Sequence, residues 1–153
     1  MMTNANIVPY QEQDHDTLVE IWRRAVVQTH TFLKAEDLQF YYQMVRSGAL
    51  QEVEIWEERI EEEPVGFIAL NGSKIEMLFV EPRYHGKGTG RRLIKHAEML
   101  KGGNLRVDVN EQNEGAHLFY KRLGFVQTGR SELDPSGRAY PLLHLELQSS
   151  LTI

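Results

Sequence analysis

The residues that could do chemistry begin with a run of alternating glycines, Gly86-Lys87-Gly88-Thr89-Gly90, followed by Arg91. Glycines at alternate positions let a backbone turn tightly and show its N–H groups to a ligand. A helix starting directly afterwards adds its positive end, and the pair suits a phosphate or pyrophosphate. Just upstream, Glu76 interrupts the apolar run Ile75-Glu76-Met77-Leu78-Phe79-Val80. If buried, its pKa rises and it becomes a candidate general base; on a solvent face it is an ordinary surface charge. His30, between Thr29 and Thr31, is a second candidate, since imidazole titrates near neutrality; otherwise it is a loop residue capping the next helix. Tyr120 shares an apolar stripe with Ala116, Phe119 and Leu123, as a core aromatic with its hydroxyl at the edge would. Tyr41 and Tyr42 fit an amine pocket or, for Tyr42, the core. The seven glutamates from Glu52 to Glu63 have the composition of a solvated hairpin, or of a lure for a cationic substrate. His15, His96, His117 and His144 lack the paired spacing of a metal site, and no metal is expected.

These residues need elements to position them. Asn6 to Tyr10 is a strand candidate, and Asp14 suits the N-cap of a helix whose buried face is Leu18, Ile21, Trp22, Ala25 and Val26. A second helix runs from about Lys34 to Arg46, closed by Gly48. Val53 and Ile55 alternate with glutamates, as in a half-buried strand. Val65 to Leu70 is the next strand, and Asn71-Gly72 turns it into Ile75 to Val80. Pro82 ends that strand by removing a donor. Beyond the glycine run, Leu93, Ile94, Ala97 and Leu100 mark a helix ended by Gly102-Gly103. Leu105 to Val109, a helix from Glu114 to Leu123, Phe125 to Gly129 and Leu142 to Leu147 complete the order β-α-α-β-β-β-α-β-α-β-β. The crossover helix after the Ile75 strand implies one parallel pair in a mixed sheet.

Two common nucleotide loops do not fit. A GxxxxGK[ST] loop needs Lys after its last glycine, where Arg91 stands, and GxGxxG needs a glycine where Arg91 or Leu93 stands. That disfavours a nucleotide-binding regulator of Rossmann type. The glycine run resembles instead the [Q/R]-x-x-G-x-[G/A] segment of the Gcn5-related N-acetyltransferases (GNAT). Asn113-Glu114-Gly115-Ala116-His117-Leu118-Phe119-Tyr120-Lys121-Arg122-Leu123-Gly124-Phe125 is similar to that family's N-x-x-A-x-x-F-Y-x-x-x-G-F segment at every fixed position. Thr29-His30 to Phe32-Leu33, Val109 to Asn113, Gly129 to Glu132 and Tyr140 to Leu143 look similar to its YjaB-type branch. The resemblance covers nearly the whole chain.

The resemblance implies an α/β fold: a mixed, mostly antiparallel sheet flanked by helices, with one parallel strand pair at a cofactor cleft. It implies acetyl-CoA as co-substrate and direct transfer of the acetyl group to a primary amine. Gly86, Lys87, Gly88, Thr89, Gly90 and Arg91 would cradle the pyrophosphate. Leu78, Phe79 and Val80 would line the reactive end, with a backbone N–H near Leu78 or Phe79 on the thioester carbonyl. The family's Gln/Arg position falls on His85, a departure from the usual residue. Asn113 would touch the pantetheine arm as well as cap its helix. Tyr120 would protonate the departing sulfur, with Glu76 or His30 as base.

At 153 residues the chain is expected to be one domain, 1–153, large enough for an ordinary core. The absence of cysteine excludes disulfides and thiolate nucleophiles and fits a reducing, cytoplasmic setting. Neither a signal peptide nor a membrane span is evident. A formal net charge of −5 argues against nucleic acid as a partner and suits a cationic small-molecule or peptide amine. Monomer or homodimer is the expected state. The alternative function is a non-catalytic acetyl-CoA sensor.

Overall fold

The computed structural model describes residues 5–148; residues 1–4 and 149–153, part of the span expected of the domain, lie outside the described residues. In chain order the elements are β1 (Ala5–Pro9), α1 (His15–Thr29), α2 (Ala35–Arg46), β2 (Glu54–Ile60), β3 (Glu63–Asn71), β4 (Lys74–Val80), α3 (Thr89–Lys101), β5 (Arg106–Asn110), α4 (Glu114–Arg122), β6 (Phe125–Ser131) and β7 (Leu142–Leu147). The strands form one sheet in the order β1-β2-β3-β4-β5-β7-β6. Every neighbouring pair is antiparallel except β4 and β5. The fold class and element order expected from sequence are therefore present.

Helices cover the sheet on two faces, each over its own apolar cluster. Leu18, Ile21, Trp22 and Val26 of α1 pack with Ile55, Phe67 and Ala69. Leu93, Ile94 and Ala97 of α3 pack with Ile68, Leu70, Ile75, Val107 and Leu145. Alternate residues of β3 thus enter opposite clusters, and Val65 to Leu70 is buried throughout, as a strand covered on both sides must be.

That double cover changes the meaning of the glutamate run. Glu57 and Glu58 are adjacent on β2, so they point to opposite faces, and both are fully buried. Neither belongs to a solvated hairpin. Each has found cations instead: Glu57 accepts from Arg59 Nε at 3.1 Å, and Glu58 from Arg92. Asp14 is drawn into the first of these groups. It stands at the N-cap of α1 but makes no capping bond; its carboxylate is buried against Arg59.

One strained turn lies away from β4 in the β2–β3 hairpin, and two departures from regular strand pairing shape the region around β4 itself. Between β2 and β3 the tight turn is Glu61-Glu62, both at positive φ, 52° and 70°. Between β3 and β4 the register passes from Ala69↔Met77 to Leu70↔Ile75, which leaves Glu76 as the extra residue of a β-bulge. Between β4 and β5 only Lys74↔Arg106 and Ile75↔Val107 are paired. Past those pairs the two strands splay, and the cleft that opens holds the candidate site.

Candidate active site

The cleft wall on one side is β4. Glu81 N–H donates to Val65 O at 2.8 Å, and Phe79 lies opposite Phe67. Backbone groups of a strand alternate sides, so Phe79 and Glu81 donate toward β3 while Leu78 and Val80 turn their N–H groups to the open side. Of the two donors expected for a thioester carbonyl, Leu78 is the one with the right direction.

The opposite end of the cleft is the glycine loop. Gly88 is the N-cap of α3 at φ 91°, a left-handed conformation suited to glycine. Among the described residues, no backbone N–H from Gly86 to Arg91 has a hydrogen-bond partner. A row of unpaired N–H groups at a helix start is an anion site. The side chains there have other duties. Thr89 Oγ1 donates to the buried Glu58 carboxylate at 2.6 Å, so Thr89 offers a ligand only its N–H. Arg92 gives Nε and Nη2 to Glu58 at 2.6 and 2.9 Å, and Nη1 to the carbonyl of Lys87 at 3.1 Å. Glu58 thereby ties the loop and α3 to β2. Gly66 makes room for this: a Cβ there would stand 2.8 Å from Thr89 Cγ2. Likewise a Cβ on Gly88 would stand 2.6 Å from Arg92 Nη1, so substitution at Gly88 disturbs the anchor as well as the anion site.

A cavity of about 370 Å³ runs between β4 and this loop, lined by Leu78, Phe79, Val80, His85, Gly86, Gly88, Thr89, Gly90, Arg91 and Asn113. These are residues singled out in the sequence. Asn113 Oδ1 also accepts the Ala116 N–H at 3.1 Å, so it caps α4 and faces the cavity at once. His85 bends its ring back, Nε2 donating to the Val80 carbonyl at 2.9 Å, and braces the loop against the end of β4. Lys87 is not part of the lining; its Nζ stands 5.5 Å from the centre of the Tyr84 ring. Tyr84, Ala25, Thr29 and Phe119 line the cavity without having been expected to. Phe119 sits where a Cβ on Gly90 would be 3.1 Å from its ring, so that glycine admits α4 to the cleft.

Tyr120 stands one residue behind that wall. Its ring is buried between Phe119 and Phe125, each 5.1 Å away between ring centres. Among the described residues its hydroxyl has no hydrogen-bond partner, yet it is not one of the sealed orphan atoms. Burial pushes the phenol well above its ordinary value.

A second cavity, about 300 Å³, opens on the α1–α2 side of β4. His30 and Phe79 line both cavities, so the two meet there. Thr29 Oγ1 donates to the Ala25 carbonyl at 2.7 Å, which leaves its oxygen to accept from His30 Nδ1 at 2.8 Å. The His30 proton therefore sits on Nδ1, and Nε2 keeps its lone pair. Burial lowers the His30 pKa to about 4, so the ring is neutral at pH 7. Walls of Trp22, Leu33, Tyr41, Met44 and Tyr140 make the second cavity largely apolar. Its carboxylates differ. Asp108 is paired with Lys74 at 3.0 Å and His144 at 2.6 Å. Asp134 accepts from the Tyr41 hydroxyl and the Ser136 N–H. Glu76 alone has no partner among the described residues. It is exposed, not buried as a strand interior would have made it, because the bulge turns it out to the cavity mouth. Tyr42 is turned away, stacked on Trp22 at 6.4 Å and donating to Glu20 at 3.2 Å.

The segment after β6 closes this cavity from above. Arg138 Nε donates to Asp37 Oδ1 of α2 at 2.8 Å, and the Tyr140 hydroxyl donates to the same carboxylate while accepting from Lys34 N–H at 3.1 Å. Sequence reasoning missed this clasp; its partners are far apart in the chain. Among the described residues no cluster of His, Asp and Glu could hold a metal ion, and no helix is long and apolar enough to cross a membrane.

Known proteins share this arrangement. A family model described as an acetyltransferase (GNAT) domain matches residues 15–137. The peptidyl-lysine N-acetyltransferase YjaB of Escherichia coli (strain K12) is 44% identical over 138 residues, covering 88% of this chain and 91% of that protein. Its counterpart in Salmonella typhimurium (strain LT2) is 42% identical, covering 92% and 96%. The solution structure of apo-form YjaB from Escherichia coli superposes with a TM-score of 0.89 at 41% identity, over 98% of this chain and 100% of that one. With a splayed β4–β5 cleft, an anion loop at the start of α3 and these relatives, the chain belongs to the GNAT acetyltransferase family and is an enzyme that moves an acetyl group from acetyl-CoA to an amine.

Proposed function

We propose that the acceptor is the side-chain amine of a lysine in a peptide or protein, reached through the cavity between α1, α2 and β4. The observation that carries this reading is the meeting of the two cavities at His30 and Phe79. An alkyl chain can lie along Trp22, Met44 and Tyr140 with its ammonium near Glu76, the unpaired carboxylate. The names of the YjaB relatives support a peptidyl lysine over other amines.

The pyrophosphate of acetyl-CoA takes the N–H groups from Gly86 to Arg91, with His85 bracing the loop and Asn113 on the arm. The thioester carbonyl accepts from the Leu78 N–H, a fixed dipole where negative charge develops during attack. Glu76 draws in the ammonium. A proton leaving an amine of pKa near ~10.4 for a neutral imidazole whose conjugate acid has a pKa of about 4 climbs roughly 8–9 kcal/mol. His30 therefore cannot strip the ammonium beforehand; that first proton leaves to water, and as the lone pair of the neutral amine forms the C–N bond, Nε2 takes the second proton from the now acidic nitrogen. Tyr120, kept protonated by burial, supplies the proton to the departing sulfur.

The test is a panel of lysine peptides, peptides with only a free α-amine, and polyamines, each with acetyl-CoA, read by thiol release and by mass of the product. Acetylation of lysine side chains is expected, with the other amines slow. Preference for α-amines or polyamines refutes the acceptor assignment. Glu76→Gln should chiefly raise the acceptor KM, and His30→Asn should chiefly lower kcat; the reverse pattern exchanges their roles. The absence of cysteine agrees with action in a reducing cytoplasm.

A further inference from the structure

Three polar side chains on neighbouring strands form a row that acetyl transfer does not use. Asp108 of β5 and His144 of β7 are register partners, and Ser131 ends β6. Asp108 Oδ1 lies 2.6 Å from His144 Nδ1, and His144 Nε2 lies 2.7 Å from Ser131 Oγ. Lys74 Nζ holds the other carboxylate oxygen, Oδ2, at 3.0 Å. The carboxylate only accepts, so the proton of a neutral imidazole sits on Nδ1. The lone pair of Nε2 then accepts from the Ser131 hydroxyl. A serine, a histidine and an aspartate joined through these atoms are the parts of a nucleophile, its base and the group that orients the base.

Holding the strands together does not account for the row. The backbone ladders of β5 with β7 and of β7 with β6 already join them, and polar pairs open to water add little to stability. The chain makes room for the ring instead. His144 faces Gly129 across the ladder, where a Cβ would stand 3.3 Å from ring atom Cδ2. Thr128, the extra residue of a β-bulge beside that glycine, bends β6 there. The row also stands open. Val107, Val109, Leu143 and Leu145 face the α3 cluster, so Asp108 and His144, which alternate with them, face the other way. The apolar cluster under α1 and α2 takes residues of β2 to β4 and none of β5 to β7. Ser131 and His144 are half-buried, and Asp108 lines the second cavity. A backbone donor stands beside the serine. Glu111 N–H donates to Pro141 O at 2.9 Å, so Leu142 turns its backbone groups to Ser131. Arg130, one residue before, therefore turns its N–H to the free edge of the sheet.

We propose that Ser131 and His144, with Asp108 behind them, are a second catalytic centre that hydrolyses small carboxylic esters. Oγ attacks the ester carbonyl carbon as its proton passes to Nε2, and the Arg130 N–H donates to the carbonyl oxygen while it is negative. The C–O bond to the alcohol then breaks, and the alcohol leaves with the proton from Nε2. Water attacks the acyl-Ser131 carbonyl in turn and gives a proton to Nε2. The acid departs as that proton returns to Oγ. Asp108 is a positioning residue: it fixes the tautomer and offsets the imidazolium charge formed in each half.

The probes are p-nitrophenyl acetate and a fluorophosphonate, used on the whole chain without CoA. Nitrophenol release should continue well past one equivalent, and the fluorophosphonate should phosphonylate Ser131, located by peptide mass. Ser131→Ala should lower ester turnover by ~10²-fold or more, and His144→Gln by roughly 10²–10⁴, the range of a positioned base. Asp108→Asn should slow phosphonylation by at least ~10-fold with the serine still in place, which a merely structural role would not do. Acetyl transfer from acetyl-CoA should persist in Ser131→Ala, which shows that this variant is folded and that the two centres are separate. Release of no more than one equivalent, absence of label on Ser131, or full turnover in Ser131→Ala overturns the proposal. Loss of acetyl transfer together with ester turnover in Ser131→Ala overturns a second centre. Labelling unaffected by His144→Gln overturns the role of the base.

Discussion

Glu58 and Arg92 are joined by two hydrogen bonds, Nε at 2.6 Å and Nη2 at 2.9 Å, although the carboxylate is fully buried and the guanidinium is 44% exposed. The pair links β2 to the first turn of α3, and through Lys87 O to the loop before it. A buried carboxylate contributes little net stability when paired, but removing one partner is costly. Glu58→Gln should lower stability by about 2–4 kcal/mol, a fall in melting temperature of roughly 5–15 °C. CoA affinity should fall by at least ~10-fold, because the N–H groups from Gly86 to Arg91 lose their fixed aim. Scanning calorimetry and CoA titration at a temperature where the variant is folded check both. A stability loss with unchanged affinity makes Glu58 a prop of the helix and nothing more.

Glu57 behaves differently, since its neighbours include another acid. Burial is the main cause that raises its pKa to about 7, and Asp14 adds to it while Arg59 opposes. A carboxyl held above its unfolded value of 4.5 contributes stability in full below that value, and the contribution is lost as pH rises through about 7. The wild type should lose on the order of 1–3 kcal/mol relative to Glu57→Gln between pH 5 and pH 8. Urea unfolding of both proteins at the two pH values measures the difference directly. A gap that does not change with pH would show that Glu57 is ionised throughout.

Tyr120 offers a sharper separation of structure from catalysis. Its hydroxyl makes no hydrogen bond among the described residues, so Tyr120→Phe removes no bond from the folded chain. Melting temperature should change little, and CoA affinity only modestly. A fall in kcat of about 10- to 10³-fold is expected, because a thiolate can leave unassisted and the acid helps without being indispensable. Since burial keeps the phenol protonated, wild-type kcat should show no loss of this acid below about pH 10. Full activity of the Phe variant removes Tyr120 from the reaction.

The Glu61-Glu62 turn should be improvable. A two-residue hairpin with both residues at positive φ is the conformation that Asn-Gly adopts readily, and β-carbons resist it. Glu61→Asn/Glu62→Gly should stabilise the protein by about 1–2 kcal/mol and raise its melting temperature by roughly 2–6 °C. The turn is far from the cleft in the β2–β3 hairpin, so kcat should stay the same. An unchanged melting temperature would mean that the turn relaxes without strain.

Much of this molecule was legible from local pattern. The Ile75–Val80 strand, the glycine loop and the helix after it are contiguous, so spacing alone placed them, and the Asn113 to Phe125 segment fell on α4 as its stripe required. What escaped depended on residues distant in the chain. Glu57 and Glu58 look like surface charges until helices cover both faces of β2 and Arg92 arrives from 34 residues away. Glu76 could be read from its apolar neighbours as a buried base or as a charge on a solvent face; one extra residue in the β3–β4 ladder, which no local pattern announces, turned it outward. Asp14 has the identity and position of a cap, but Arg59 binds it more strongly than a backbone N–H would. The Arg138–Asp37 clasp spans 101 residues and has no local signal at all.

The narrow join between β4 and β5 has a consequence for how the enzyme breathes. Two facing residue pairs unite an antiparallel ladder of β1 to β4 with another of β5, β7 and β6. Amide hydrogen exchange in the empty enzyme should show these ladders opening as separate cooperative units, with the Leu78 and Val80 amides among the fastest in β4. The cofactor's arm carries amide groups of its own and can occupy the place of a missing strand. Loading acetyl-CoA should then slow exchange at Leu78 and Val80 most, and fuse the two units into one. Two ladders that still open separately with acetyl-CoA bound would show that the arm does not bridge them.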